Sequence, residues 1–345
     1  AVGAVAAVLL AVGAYGAFRM AEATGDSATK VRVLVVQANV PQSNTGRKGA
    51  SADELVRFHL AQTQAAIAEY GEPDLVVWSE TMMPELNSEF REASRGVKMR
   101  GKDDYGGFLH SVLMDLTDLA YRHRMAMVVG GTYVKPIYGL GGRAERFDQR
   151  NSAFFFEPTG LLSDRRYDKV HLVPFGEFIP FRETFPPLYR LFSAFNPYDH
   201  DYTLNAGESF TVFEVMPRVG ERRRVRIVTP ICFEDIMAPL VARMFRPGAG
   251  EAPKRADLLV NLTNDGWFAG TQNAQHMQVA VFRSIENRVP TARSVNTGVS
   301  GFIDSVGRVS GAIPARTAGA SMSELSLDQR VTFYTCHGDL FANAL

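Results

Sequence analysis

Cysteine is scarce in this chain: Cys232 and Cys336 are the only two among 345 residues. That excludes a disulfide framework. A single Cys232–Cys336 bridge stays open, although nothing local favours it. An excess of charge is also missing. Thirty-seven Lys and Arg balance 37 Asp and Glu, which removes the usual electrostatic footprint of nucleic-acid binding. The densest basic run, ERRRVR from Glu221 to Arg226, reads as a solvated turn rather than a phosphate site. The seven histidines fall at no metal-binding spacing and there is no CxxC pair, so no metal site is expected. His171 and His276 read as hydrogen-bonded structural residues. No phosphate loop follows a strand. GGTYV from Gly130 and GLGG from Gly139 read as turns. Internal repeats are absent as well.

One long uncharged run is present, from Ala1 to Phe18. As a helix it would span roughly 27 Å, close to the ~30 Å hydrocarbon core of a bilayer. It lacks the Met and basic opening of a secretory signal. Residues 1–20 are therefore expected to form a transmembrane helix, a fragment of a larger membrane domain. A buried Ala-rich helix is the alternative. Arg19, Glu22, Asp26 and Lys30 mark the return to water. Residues 21–30 read as a polar linker, and residues 31–345 as one domain beyond it. With no upstream loop to compare, charge gives no orientation.

Beyond the linker, strand and helix patterns alternate, which predicts an α/β architecture. VRVLVVQANV (Val31 to Val40) and DLVVWSE (Asp74 to Glu80) read as buried strands. MAMVVGGTYV and NSAFFFEPTG follow as further strands, then RVRIVTPIC, ADLLVNLTND and TARSVNTGVSGFID. Between the first two strands lies a helix with a capping box, Ser51 with Glu54, and a stop at Gly71. Asn261 opens an N-x-T triplet, but a buried strand argues against glycosylation. Two segments resist assignment, Thr81 to Tyr105 and Phe178 to Leu204. The second is rich in Phe, Tyr, Leu and Pro. It reads either as a lid facing lipid or an acyl chain, or as a loop packed on its own core.

Several chemically capable residues stand where strands end: Glu80, Lys169, Glu177, Cys232, Glu234, Asn264 and Asp265. Ligands gather at the carboxyl ends of strands in open α/β folds. A cysteine thiol is mostly neutral at pH 7 and needs a base to become a strong nucleophile. Cys232 precedes a predicted helix, Ile236 to Phe245, whose positive end would favour a thiolate. Glu80 can take the thiol proton if burial raises its pKa. Lys169 can hold an oxyanion. Spacing alone leaves open that these are unrelated strand-end residues. Trp78 and Trp267 read as packing residues.

The order WSET, DKVHLVPFGE, PICFED, NLTNDGWF, QHMQVAVFRSIENR and SVNTGVSGFID resembles the nitrilase superfamily and, within it, the apolipoprotein N-acyltransferases. The resemblance runs from about Val31 to the C-terminus. It implies a four-layer α-β-β-α sandwich and a catalytic triad of Glu80 (general base), Lys169 (transition-state stabiliser) and Cys232 (nucleophile). Glu177 would be a second essential acid and Glu234 a supporting one, with the Phe233 N–H adding to the oxyanion site. The implied reaction moves an acyl chain from a phospholipid, usually phosphatidylethanolamine, through a Cys232 thioester. The acceptor would be the α-amine of a diacylglyceryl-modified apolipoprotein, at the outer face of a bacterial inner membrane, with no metal or cofactor. A nitrilase-family amidase with water as acceptor would use the same triad. A membrane-tethered binding module with a dead site is the third reading.

Overall fold

The computed structural model describes residues 2–22, 29–42, 49–139, 144–182, 184–194, 202–218, 223–248, 253–267 and 271–343. Its strands form two six-stranded mixed sheets. In the first, the order is β12 (Gly319–Ser326), β1 (Lys30–Gln37), β2 (Leu75–Met83), β3 (Ala126–Tyr138), β4 (Ala144–Phe156) and β5 (Leu162–Asp168). In the second it is β11 (Val309–Ile313), β10 (Ser300–Ile303), β9 (Thr291–Val295), β8 (Leu258–Thr263), β7 (Val225–Val228) and β6 (Phe213–Val215). The helices are α1 (Val2–Ala21), α2 (Ala52–Tyr70), α3 (Ser88–Ala93), α4 (Tyr105–His123), α5 (Pro186–Ser193), α6 (Ala238–Phe245), α7 (Gln272–Asn287), α8 (Phe333–His337) and α9 (Leu340–Asn343).

The layering follows from the two-residue period of a strand. Val31, Val33 and Val35 of β1 and Leu75 and Val77 of β2 face the other sheet, where they share a core with Ile227, Leu258, Val260 and Ala292. The alternate residues, Leu34, Val36, Val76 and Trp78, face α2 and α4 and meet Leu55, Ile67, Val112 and Leu116. Strands covered on both faces read as continuous apolar runs, which is why β1 and β2 stand out in the sequence. On the far side, Met277 and Ala280 of α7 meet Ile303 of β10. The expected α-β-β-α sandwich is the observed one.

Local signals set the helix limits. The Ser51 hydroxyl accepts from the Glu54 N–H, and the Glu54 carboxylate accepts from the Ser51 N–H at 2.7 Å. Gly71, with φ 86°, ends α2.

Several expectations are corrected. Gly130 and Gly131 lie inside β3 rather than in a turn; three of the four residues of GLGG, 140–142, lie outside the described residues. Thr81 to Tyr105 is not irregular throughout, since β2 runs on to Met83 and α3 follows. TARSVNTGVSGFID folds into two antiparallel strands, β9 and β10. The predicted helix, Ile236 to Phe245, is present as α6 but starts later, at Ala238, after a 3₁₀ turn, Cys232–Ile236. The basic run is not simply solvated. Arg226 and Arg223 pair with the buried Asp257 at 3.0 and 3.2 Å, and Arg224 pairs with Glu214 at 2.7 Å; Glu221 and Arg222 lie outside the described residues. Within Phe178 to Leu204, α5 forms, and residues 183 and 195–201 lie outside the described residues.

No side chain of α1 is buried, and it is the one described helix long and apolar enough to cross a membrane. Its final turn is clasped by arginines of the domain. The Arg19 carbonyl accepts from Arg288 and the Met20 carbonyl from Arg308 at 2.8 Å, while Glu22 meets Arg288 and Arg330 at 3.4 and 3.3 Å. Guanidinium groups at a helix C-terminus complement its unpaired carbonyls and its negative dipole end. Asp26 lies outside the described residues, and Lys30 pairs with Glu324.

Candidate active site

Glu80 sits where the pairing of β2 with β3 loses register, between Trp78 and Met83. The next residue, Thr81, takes φ 53°, a conformation rare for a β-branched side chain. Gly130 of β3 makes room for this kink. A Cβ there would stand 2.7 Å from the Glu80 Cα and 2.9 Å from the Thr81 N. The Glu80 carboxylate is only 5% exposed. Its Oε1 accepts from Asn151 Nδ2 at 2.7 Å and faces Lys169 Nζ at 3.5 Å; its Oε2 accepts from the Asn264 N–H at 2.8 Å. The Cys232 thiol is close enough to feel the Glu80 charge. Burial raises the Glu80 pKa above the ordinary carboxylate value, and the Glu177 charge adds to this, against the opposing pull of Lys169.

Lys169 follows the last residue of β5, where its N–H donates to the Asn151 carbonyl at 2.9 Å. Its ammonium is 1% exposed and touches Glu177 at 2.9 Å. Burial alone would lower its pKa, but the Glu80, Cys232 and Glu177 charges outweigh that and hold it raised. Glu177 also accepts from Asn151 Nδ2 and from the Val173 N–H, both at 2.9 Å.

Cys232 opens the 3₁₀ turn with φ 50°. It is 7% exposed, and both cysteines are free thiols. Burial, then the Glu80 charge, push its pKa well up, with Lys169 opposing. The expected help from a helix N-terminus is therefore not what governs this sulfur. α6 begins only at Ala238, beyond the turn, and the thiol rests neutral beside a carboxylate. Phe233 is the second residue of the turn, a position whose N–H has no partner within it. Its ring stacks on His171, with centroids 6.1 Å apart.

Glu234 is fully buried behind these groups. One oxygen accepts from the Val170 and His171 N–H groups at 2.8 and 3.0 Å, the other from Ile231 N–H at 2.8 Å, and Tyr167 OH reaches both at 2.9 Å. It ties the loop after Lys169 to the turn bearing Cys232. Burial pushes its pKa up to about 7.

The structure thus brings Glu80, Lys169, Glu177 and Cys232 into one polar centre, with Glu234 bracing it and Phe233 at its edge. Sequence reading missed Asn151, whose amide bridges two carboxylates. The signal was an Asn opening an otherwise apolar strand. It also missed that Asn264 holds Glu80 through its backbone. Trp78 is core, as expected, but Trp267 is 42% exposed rather than packed. Asn261 is buried in β8, and no group of three His, Cys, Asp or Glu suited to a metal occurs among the described residues. A cleft of about 1030 Å³ is walled by His171, Leu172, Phe178, Ile179, Phe181 and Phe147; Val170, next to Lys169, also lines it, but Glu80, Lys169, Glu177 and Cys232 do not.

The carbon-nitrogen hydrolase family model matches residues 32–333. The chain belongs to the carbon-nitrogen hydrolase family. Among solved members of this fold, a nitrilase-superfamily protein of Saccharomyces cerevisiae is 18% identical. The alignment covers 92% of this chain and 94% of that one with a TM-score of 0.54. A CN-hydrolase superfamily protein of Xanthomonas campestris gives the same score at 16% identity, covering 86% and 91%. At the sequence level the chain is 32% identical to an apolipoprotein N-acyltransferase of Geobacter metallireducens, over 97% of this chain and 55% of that protein. It is 28% identical to one of Chlorobaculum tepidum, over 92% and 55%. The chain spans about half the length of the curated relatives it matches.

Proposed function

We propose that this carbon-nitrogen hydrolase domain is the catalytic part of an apolipoprotein N-acyltransferase. The observation that carries the reading is a buried free thiol, Cys232, that feels the charges of a carboxylate, Glu80, and of an ammonium group, Lys169, itself held by Glu177. The similarity to curated N-acyltransferases selects the acceptor class.

In this mechanism Glu80 takes the thiol proton as sulfur attacks the ester carbonyl of a phospholipid. Lys169, with the Phe233 N–H, stabilises the oxyanion, a contribution of roughly 3–4 kcal/mol for one such donor. Collapse breaks the ester C–O bond, and the leaving alkoxide of the lysophospholipid receives the proton from Glu80. The α-amine of a diacylglyceryl-modified N-terminal cysteine then attacks the thioester. Glu80 accepts the ammonium proton and returns it to the departing sulfur. Burial suits Glu80 to this traffic because it moves a carboxyl pKa toward neutrality. In this reading α1 anchors the domain to a bilayer, and the reaction takes place at the periplasmic face of a bacterial inner membrane. The exposed Phe175, Phe181, Phe185 and Leu191 face lipid or its acyl chains.

The test is label transfer from acyl-labelled phosphatidylethanolamine to the full-length protein. Hydroxylamine-sensitive label is expected on the parent and absent from Cys232→Ala; equal label on both refutes the thioester. Acyl transfer to an amine acceptor supports the acyltransferase, whereas free fatty acid or ammonia as the sole product supports an amidase.

A further inference from the structure

Behind the Cys232 turn lies a second buried charge cluster that the mechanism above does not use. Asp235, in the same 3₁₀ turn as Cys232, accepts from His276 Nε2 at 2.8 Å through Oδ1 and from Arg293 at 2.6 Å through Oδ2. Asp265, the neighbour of Asn264, accepts from His276 Nδ1 at 2.8 Å, and its other oxygen lies 3.7 Å from Arg293. Arg293 also reaches Asn261. All four charged side chains are buried. Arg283 caps the end of the turn through the Asp235 and Ile236 carbonyls at 3.2 and 3.1 Å, while its own charge is met by Glu286 at 2.9 Å.

Two arguments fix the state of His276. A neutral imidazole has one N–H and one lone pair. With a carboxylate at 2.8 Å from each ring nitrogen, only the doubly protonated ring satisfies both. The charge count agrees. Asp235 and Asp265 against Arg293 alone leave one buried negative charge uncompensated, a strongly unfavourable arrangement; an imidazolium makes the cluster neutral. Burial and Arg293 oppose this protonation, but the two carboxylates prevail and push the His276 pKa up to about 9.

The cluster joins the two loops on which the site depends. Asp235 belongs to the nucleophile's turn. Asp265 adjoins Asn264, whose N–H holds the Glu80 carboxylate. The Asp265 charge also acts on the Cys232 thiol, raising its pKa. We propose that His276 is a positioning residue for Cys232: its imidazolium fastens the nucleophile's turn to the loop that anchors Glu80 and cancels the negative charge that would otherwise resist thiolate formation. The inference rests on Cys232 being the nucleophile.

The test is the rate of Cys232 alkylation by iodoacetamide against pH, on the full chain carrying Cys336→Ser. This readout needs no lipid. A silent acyl-transfer assay therefore overturns the acyltransferase reading and leaves this result standing. His276→Gln keeps hydrogen-bonding groups but no charge. It is expected to slow alkylation at least about tenfold at neutral pH, the effect of a one-unit rise in thiol pKa. Adding Asp235→Asn makes the cluster neutral again and is expected to restore most of the rate. If His276→Gln alone does not fold, the double variant must fold and react. An unchanged rate in His276→Gln overturns the proposal. So does a double variant that fails to fold or reacts no faster than the single one.

Discussion

Gly130→Ala tests whether the kink at Glu80 is what positions the proposed base. The added Cβ would lie 2.7 Å from the Glu80 Cα and 2.9 Å from the Thr81 N, where ordinary contacts run 3.4–4 Å. The obstacles are backbone atoms, so no side chain can swing away. The strand must retreat by about 1 Å, and a displacement of that size at reacting groups costs on the order of 100-fold in rate. Overpacking of this kind also costs roughly 1–3 kcal/mol of stability. The expected outcome is a melting midpoint lowered by a few degrees and a thioester-forming rate down about 100-fold. Rapid-quench labelling and thermal unfolding on the same samples measure both. A variant with the lowered midpoint but an undiminished acylation rate would refute the claim that Gly130 sets the place of Glu80.

Other consequences can be measured together. Glu234→Gln turns an amide donor toward N–H and O–H groups that already donate, and should cost about 1–3 kcal/mol. The parent's Glu234 has its folded pKa raised to about 7, so the folded state holds this proton more tightly than the unfolded chain. Its contribution to stability is greatest below the ordinary Glu value and is lost as pH rises toward 7. Urea titrations between pH 4 and 8 should show that component of the slope in the parent and not in the variant. Asp257→Ala leaves Arg226 without its buried partner. Breaking such a pair typically costs about 3–5 kcal/mol, and the partial exposure of Arg223 and Arg226 places the loss toward the lower figure, readable as a shift in urea midpoint.

Much of this architecture was legible because its central strands are covered on both faces. Val33 to Val36 and Leu75 to Trp78 have no polar alternation to obscure them. Glu80 and Cys232 were findable because each ends such a run; Lys169 follows the polar strand β5 and was legible only within DKVHLVPFGE. β12 was not, because its residues, Gly319 to Ser326, are small or polar and mostly half-buried. Its place beside β1 comes from antiparallel pairing, not from burial. The His276 cluster escaped for another reason. Asp235, Asp265, His276 and Arg293 lie far apart in the chain, and each alone is an ordinary polar residue. Only the packing of the turn against β8, β9 and α7 makes them one group. The direction of the thiol's pKa was likewise misread, since a helix start was visible in the sequence and the depth of the sulfur was not.

The arginine clasp on α1 has a mechanical meaning. With α1 in a bilayer, Arg288, Arg308 and Arg330 deny the catalytic body a free swivel on its stalk and hold Cys232 at one height above the lipid. If the proposed acyl transfer holds, the donor's ester and the acceptor's N-terminus would both have to come to the sulfur at that height. Lengthening that joint, rather than altering the chemistry, would be the direct way to change which tethered molecules can reach the enzyme.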